Sequence, residues 1–407
     1  METLKFLMIS SHYPPSHLGG DAVMVQYLSE ELVLRGHEVH VLHDPAVYEL
    51  VRHRGLESRS DTSSSPSPFV HASTQKGRLS VLAALTFDRS AGSRAEVLDL
   101  AKRLKPDVVH WHNTKGFIGR PFIFNDALSV YTAHDYYTVC PRSNLLRPGM
   151  SFCERPMLCQ TCLLRWKKPP QVWRMGSRRV IRLPEKMGVI CPSDFMARRL
   201  ERDGVTTHHI LRNFVPDTAP PLSAEPSARD SIAYVGMLEP HKGPRTLLEA
   251  FSKCRDKQGF RLHVIGEGSL RSELNGRVRE LGIADRVSVP GFLPRSEVES
   301  IRSGSAALVV PSEWPENAPL TVLESLALGV PVLASDAGGL PEIAGAESGS
   351  MIFKAGDVDS LASCIVSLWQ NRPHLGEMKR KAREAYVSRF SPAVHIAQYL
   401  KIVHESR

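Results

Sequence analysis

Apolar residues in the first half of the chain fall into short runs separated by stretches with helical spacing. Leu4 to Ser10 is one such run and reads as a buried strand. It breaks into a polar loop, Ser11 to Asp21. Val25, Leu28 and Leu32 then recur at helical spacing within Ala22 to Arg35, and Gly36 stops that helix. Glu38 to Leu42 is the next strand, so strand, glycine loop, helix and strand form a βαβ unit. Ala95 to Leu104 predicts a helix. Pro106 to Trp111, Ser129 to Ala133 and Gly188 to Cys191 predict strands, and Ser193 is placed to cap a helix over Asp194 to Asp203. Residues 54 to 76, rich in Ser, Pro and His, predict a mobile excursion.

The pattern stops at Asn213 to Asp230, a proline-rich segment with little apolar content, and then restarts. Strands are expected over Ser231 to Gly236, Arg261 to Gly266, Val287 to Val289, Ala306 to Val310 and Val330 to Ala334. Helices are expected over Pro244 to Cys254, Ser269 to Leu281 and Pro319 to Leu328, with a mostly helical tail over Leu361 to His404. Two successive alternations predict an α/β protein of two doubly wound, Rossmann-like domains facing across a cleft. Ligands in such sheets bind at the carboxyl ends of the strands. The expected boundaries are 1–215 for a first, acceptor-side domain, with an insertion at about 140–163, and 222–385 for a second, nucleotide-binding domain. Residues 386–407 are expected to form a helix packing back on the first. The 407 residues suit two domains at roughly 100 to 200 residues each.

Composition narrows the classes. The start of the chain lacks a secretory pattern, and no uncharged apolar stretch reaches the roughly 18 residues of a membrane span. A cytoplasmic location is therefore expected. The net charge is +8. Part of it sits in 165–186, where Arg165, Lys167, Lys168, Arg174, Arg178, Arg179, Arg182 and Lys186 interleave with Trp166, Val172 and Trp173. Such a stretch suits either a solvated helix face or peripheral contact with an anionic surface at the inner face of a membrane. No DNA- or RNA-binding motif is present, so nucleic acid is not expected as a partner. Of seven cysteines, Cys140, Cys153, Cys159 and Cys162 cluster and include one CxxC pair. Four thiolates at this spacing can build a tetrahedral zinc site. Free thiols, a disulfide and an iron–sulfur cluster are the alternatives.

Four features can carry chemistry. Pro319 is suited to the first position of a helix. Glu316 then lies in the preceding loop and Glu324 inside the helix. The N–H groups of Ala318, Leu320 and Thr321 would form a phosphate-binding helix terminus. The structural alternative is one glutamate favoured by the helix dipole and another solvated. Lys242, followed by Gly243 and with Arg245 close behind, sits between a strand end and a helix, where a cation can bind a diphosphate. Gly19 and Gly20 follow the first strand and permit close approach of a phosphate or sugar. They do not form the GxGxxG dinucleotide fingerprint. His134 and Asp135 follow a strand, as do His110 and His112. A histidine there can polarise a hydroxyl, or serve only as core.

Together these motifs resemble the family 4 glycosyltransferases, glycogen synthase-like retaining enzymes of the GT-B fold. The resemblance spans nearly the whole chain. It rests on Glu316 and Glu324 with seven residues between them, Lys242-Gly243, Gly19-Gly20, Gly266-Glu-Gly268, Gly338-Gly-Leu-Pro-Glu342 and His134. It implies a hexosyltransferase that uses a nucleotide diphosphate sugar and a glycan or lipid-linked acceptor, in polysaccharide or glycoconjugate biosynthesis, with no divalent metal required. By the same resemblance Lys242 neutralises the diphosphate, Glu316 contacts the donor sugar and Glu324 binds ribose. Asn317, Ala318, Leu320, Gly266, Gly19, Gly20 and Arg245 complete the donor site. His134 approaches the sugar, and Asp135 and His112 lie on the acceptor side. Met237 stands where the family usually has an arginine, and Arg245 or Arg212 are the candidates to replace it. A non-catalytic sugar-nucleotide-binding protein and a GT-B epimerase are the alternative readings.

Overall fold

Runs of Val, Ile, Leu and Phe without polar alternation favour strands buried on both faces, as parallel sheets require. In the computed structural model these runs form two parallel sheets. Residues 2–17, 19–51, 67–74, 77–88, 90–154, 159–176, 180–218, 230–257 and 259–407 are described. They divide into one unit of residues 1–212 with His395–Arg407 and a second unit of Asn213–Val394.

The first unit contains β1 (Lys5–Ser10), β2 (Glu38–His43), β3 (Phe69–Ala72), β4 (Val108–Trp111), β5 (Leu128–Thr132), β6 (Gly188–Cys191) and β7 (His209–Ile210). They pair in the order β3-β2-β1-β4-β5-β6-β7, all parallel. Phe6, Leu7, Met8, Ile9, Val108, Val109 and Trp111 are fully buried. The second unit contains β8 (Ser231–Val235), β9 (Arg261–Ile265), β10 (Val287–Gly291), β11 (Ala307–Val310), β12 (Val332–Ser335) and β13 (Met351–Phe353). Their order is β10-β9-β8-β11-β12-β13, again all parallel. Each sheet therefore reverses its winding beside its first strand, between β1 and β4 and between β8 and β11. Those are the topological switch points at which such sheets bind ligands.

The unit boundaries differ from the expected ones. Residues 213–215 and 386–394 belong to the second unit. The Tyr386 hydroxyl donates to the Val215 carbonyl (2.8 Å), Arg383 pairs with Asp217 (2.6 Å) and the Asn213 amide donates to the Ala318 carbonyl (3.1 Å). The final helix, Pro392–Ser406, sends Ile396, Tyr399 and Val403 into the first unit. Full burial of such apolar side chains is worth about 1.5–3 kcal/mol each. The Tyr399 hydroxyl also meets His110 Nδ1 at 2.9 Å.

Part of the expected 54–76 excursion is an edge strand. Phe69–Ala72 forms β3, paired in register with His40–His43 because its backbone completes the ladder that β2 leaves open. Residues 54–66 and 75–76 lie outside the described residues, as do residues 219–229 of the expected linker. Helices Arg78–Phe87 and Arg295–Gly304 were not expected. The second presents so few apolar positions, RSEVESIRSG, that its spacing carries little signal.

His395 anchors the last helix through its Nδ1, 2.7 Å from the Arg212 carbonyl oxygen. Burial pushes its pKa down to about 4, outweighing that hydrogen bond. The unfolded chain titrates near 6.5, so between 6.5 and 4 the folded state binds fewer protons. Stability from the neutral ring is therefore complete above pH 6.5 and is lost as pH falls towards 4. Asp44 and Asp135, pushed up to about 6 mainly by burial, act in the opposite direction. His395→Asn should flatten the dependence of unfolding free energy on pH by about 1.4 kcal/mol per pH unit. Urea unfolding at pH 6 and pH 4.5 measures this, and an unchanged slope would contradict it.

Candidate active site

At the switch point of the second sheet, two loops leave β8 and β11 and are tied together. The Glu313 N–H donates to the His241 carbonyl at 2.9 Å. The first loop ends in a 3-10 turn, Pro240–Lys242, and the second runs from Pro311 to Pro319. Between them Lys242 Nζ donates to Glu316 Oε1 at 2.7 Å, and Ser312 Oγ donates to the same oxygen at 2.5 Å. Side-chain exposure is 18% for Lys242 and 7% for Glu316, so the ion pair is largely withdrawn from water. Burial alone would raise the Glu316 pKa. The charge and hydrogen bond of Lys242, with the Ser312 hydroxyl, outweigh it and hold the carboxyl below its ordinary value. The Glu316 carboxylate is thus ionised at neutral pH.

Two glycines make this approach sterically feasible. Gly243 adopts φ +69°, and a Cβ there would collide with the Pro311 carbonyl at the end of β11. Gly338 adopts φ +67° and forms a parallel bridge with Glu316, where a Cβ would strike the Glu316 backbone. The Gly339 N–H donates to the Glu316 carbonyl at 2.7 Å. The Gly-Gly-Leu-Pro-Glu segment therefore braces the backbone of the glutamate.

The helix after Glu316 begins at Leu320, one residue later than expected, and runs to Ala327. Pro319 is extended (φ −68°, ψ 127°) and takes the cap position, because the chain needs an extended residue to leave the loop. No side chain caps this terminus, so its first-turn N–H groups at Leu320 and Thr321 present their donors as a phosphate site requires. Asn317 and Ala318 are buried just before it. Glu324 is not simply solvated. Its Oε2 pairs with Arg302 at 2.8 Å, with Arg302 buried and Glu324 27% exposed.

Other expected donor residues stand apart. Arg245 is exposed, and its fork is engaged by Glu273 at 2.5 and 2.6 Å. Arg212 belongs to the first unit, where it pairs with Asp194. Both guanidinium groups are thus paired, and Met237 itself holds the position at which the family usually has an arginine. That side chain is 52% exposed, and its carbonyl accepts a hydrogen bond from the Tyr234 hydroxyl. Gly266 lies at the end of β9, against the Gly236 backbone.

In the first unit Gly19 is the cap and Gly20 the first residue of helix Gly20–Leu34, so Gly20 is not in the loop. The loop after β1 is joined to β4 by hydrogen bonds from the Ser11 N–H to the Asn113 carbonyl (2.5 Å) and from the His112 N–H to the Ile9 carbonyl (2.9 Å). This brings together residues that sequence spacing did not connect. Asp21 Oδ2 accepts from the Asn113 amide at 3.0 Å, and its charge acts on His12 and His134. Burial pushes up the Asp21 pKa, but those histidines and Asn113 outweigh it. His112 Nδ1 and His134 Nε2 are 2.9 Å apart. Burial drives His134 down to about 4 and His112 well below its ordinary value, so both rings are neutral at pH 7. Asp135 accepts from the Tyr137 N–H at 2.7 Å, and Lys115 opposes the upward push of burial on its pKa. The order of the first sheet was the signal that would have found Asp21 and Asn113, since both follow strands at its switch point.

Cys140, Cys153, Cys159 and Cys162 form no disulfide and line one cavity of about 510 Å³ with Arg142, Arg147 and Arg165. Among the described residues no three His, Cys, Asp or Glu side chains form a group that could hold a metal ion. The basic stretch after them is not one continuous helix face. Helix Cys159–Arg165 ends, and a short turn over Val172–Arg174 follows. Arg174 is buried and donates to the carbonyls of Tyr137 (2.7 Å) and Thr138 (3.0 Å). Arg178 and Arg179 lie outside the described residues. Among the described residues no helix is long and apolar enough to cross a membrane.

Residues 18–218 match the family profile described as "Glycosyltransferase Family 4", and residues 218–385 match that of "Glycosyl transferases group 1". The chain belongs to these glycosyltransferase families. The resemblance read from its motifs is thereby borne out. The 2-deoxystreptamine glucosyltransferase of Streptomyces kanamyceticus is 31% identical over 43% of this chain and 45% of its own length. The chain spans about half the length of the first two curated relatives it matches. Among solved structures, sucrose-phosphate synthase from Thermosynechococcus elongatus has a TM-score of 0.71 at 19% identity, covering 99% of this chain and 100% of that one. HepE of Anabaena in complex with UDP-glucose has a TM-score of 0.66 at 16% identity, with the same coverage. These likenesses establish the fold as two Rossmann-like domains of the GT-B class.

Breaking a buried ion pair by removing one partner costs about 3–5 kcal/mol, because the other charge is left uncompensated. Lys242→Met should destabilise the second unit on that scale, and Lys242→Met with Glu316→Gln should recover most of the loss. Denaturant midpoints of the two variants measure this. Equal destabilisation of both would show that the pair does not carry the coupling.

Proposed function

We propose that the protein is a retaining hexosyltransferase that moves a sugar from a nucleotide diphosphate donor to a glycan or lipid-linked acceptor. The observation that carries this reading is the buried Lys242–Glu316 pair beside the uncapped start of helix Leu320–Ala327, at the switch point of the second sheet. The glucosyltransferase named above and the UDP-glucose held by HepE support the donor class.

In this reading a diphosphate draws Lys242 Nζ from Glu316 and takes the open N–H groups of Leu320 and Thr321. Both place positive charge where negative charge develops as the bond between the anomeric carbon and the phosphate oxygen breaks. Glu316, ionised and braced, accepts hydrogen bonds from sugar hydroxyls. Glu324 can accept from ribose while Arg302 holds its other oxygen. The acceptor oxygen bonds to the anomeric carbon on the face the diphosphate leaves, and its proton passes to a departing diphosphate oxygen. No divalent metal is needed for this charge balance.

Met237 favours a second reading, donor binding without turnover, because no guanidinium stands at that position. A panel of UDP-, GDP-, ADP- and dTDP-sugars, assayed by thermal shift and by release of nucleoside diphosphate, separates the two. At least one donor should raise Tm and be turned over, with Glu316→Gln slowing turnover by about 10²-fold or more. A shift without release would favour binding alone, and no shift by any donor would overturn both readings.

We also propose that a lipid-linked acceptor is met at an anionic membrane surface. Leu164, Val172 and Met175 are exposed apolar side chains beside exposed Arg165, Lys167 and Lys168. Sedimentation with phosphatidylglycerol vesicles should carry down the protein at low salt and release it at high salt. No salt-sensitive pelleting would contradict this.

A further inference from the structure

The histidines at the carboxyl ends of β4 and β5 share one proton in a way that can be assigned. β4 and β5 are parallel neighbours, with Trp111 opposite Tyr131, so the residues that leave them lie side by side. His112 Nδ1 and His134 Nε2 stand 2.9 Å apart, with their rings tilted by 27°. Both rings are neutral, so one nitrogen of this contact donates and the other accepts. If His134 donated from Nε2, His112 would carry its proton on its own Nε2. That atom is buried and has no partner among the described residues. An orphaned buried N–H is rarer and more costly than a bare lone pair. The proton therefore sits on His112 Nδ1, and His134 accepts at Nε2.

Below this pair the network is fixed. His110 meets the Tyr399 hydroxyl through Nδ1 (2.9 Å) and Thr132 Oγ1 through Nε2 (2.8 Å). Its ring centroid lies 4.0 Å from that of His112. His112 is thus packed on one side by a ring held at both nitrogens and is bonded on the other to His134. A His134 ring that accepts at Nε2 must carry its hydrogen on Nδ1.

We propose that His112 is a positioning residue that holds neutral His134 in its Nδ1–H tautomer, so that His134 presents an N–H donor to ligand oxygen at the carboxyl end of the first sheet. Asp21, whose carboxylate acts electrostatically on the same ring and is held by Asn113, adds an acceptor at this end of the sheet. A hydroxyl-bearing ligand suits this pairing, since a hydroxyl accepts from an N–H and donates to a carboxylate. The ligand's identity as a sugar rests on the glycosyltransferase reading above, whereas the tautomer does not.

Long-range ¹H–¹⁵N NMR of the unliganded, histidine-labelled full chain reads the tautomer directly. His134 should show the Nδ1–H pattern in the wild type. In His112→Phe, which keeps a ring and removes the donor, it should shift to the Nε2–H form. In His112→Asn, whose amide can donate to Nε2, the Nδ1–H form should be retained. With a donor that is turned over, His112→Phe should lower kcat about tenfold to hundredfold with little change in KM, and His112→Asn should recover part of it. The Nε2–H pattern in the wild type, or no change in a folded His112→Phe, would overturn the proposal. If His112→Phe does not fold, the wild-type spectrum and His112→Asn still decide. Failure of every nucleotide sugar to be turned over counts against the transfer reading alone, because the tautomer is measured without ligand.

Discussion

A lysine and a glutamate meeting in a nearly dry pocket impose the strictest constraint on this fold. Taking both charges out of water costs several kcal/mol per ion, and the contact repays it only when geometry and extra hydrogen bonds are right. Here the geometry comes from two parallel strands that carry their loops out at the same edge. Ser312 supplies an extra donor, Gly243 lets one loop press against Pro311, and Gly338 lets a third segment close on the Glu316 backbone. Such a pair is poor value for stability alone, since well-packed apolar residues would do as well. Its worth, in the proposed reading, lies in what it holds ready: a cation beside an open helix terminus, and a carboxylate that the cation and Ser312 keep ionised.

The first unit follows the opposite electrostatic strategy at the equivalent place in its sheet. Its switch point is lined by histidines that burial keeps neutral, with Asp21 held ionised among them. A neutral imidazole can donate or accept a hydrogen bond without the desolvation cost of a charge. The direction of that bond is then set by the partner on its other nitrogen, which makes His112 and the core contacts of His110 part of the chemistry. Tyr399 comes from the last helix of the chain, so the end of the sequence supports residues near its beginning.

Much of the fold was legible because parallel strands buried on both faces are written as unbroken apolar runs, and every strand that flanks a switch point was of that kind. Lys242, Glu316 and His134 were legible because each follows such a run. What spacing could not convey was which neighbour each charged group would choose. Arg245 found Glu273 and Glu324 found Arg302, both partners distant in sequence and on helices whose polar faces carry no strong periodic signal. The edge strand β3 was hidden in a Ser- and Pro-rich stretch, because an edge strand needs only one partner and few apolar residues. The four cysteines, whose spacing suits a metal, do line one cavity, and no three of them form a ligand group.

The exchange of Lys242 between carboxylate and diphosphate is the step on which the functional reading turns. A crystal structure of the full chain with the nucleoside diphosphate that gives the largest thermal shift tests it most directly. The diphosphate should lie about 2.7–2.9 Å from Lys242 Nζ and from the N–H groups of Leu320 and Thr321, with the Lys242–Glu316 bond lengthened or broken. A diphosphate bound elsewhere, with Lys242 still on Glu316, would contradict it.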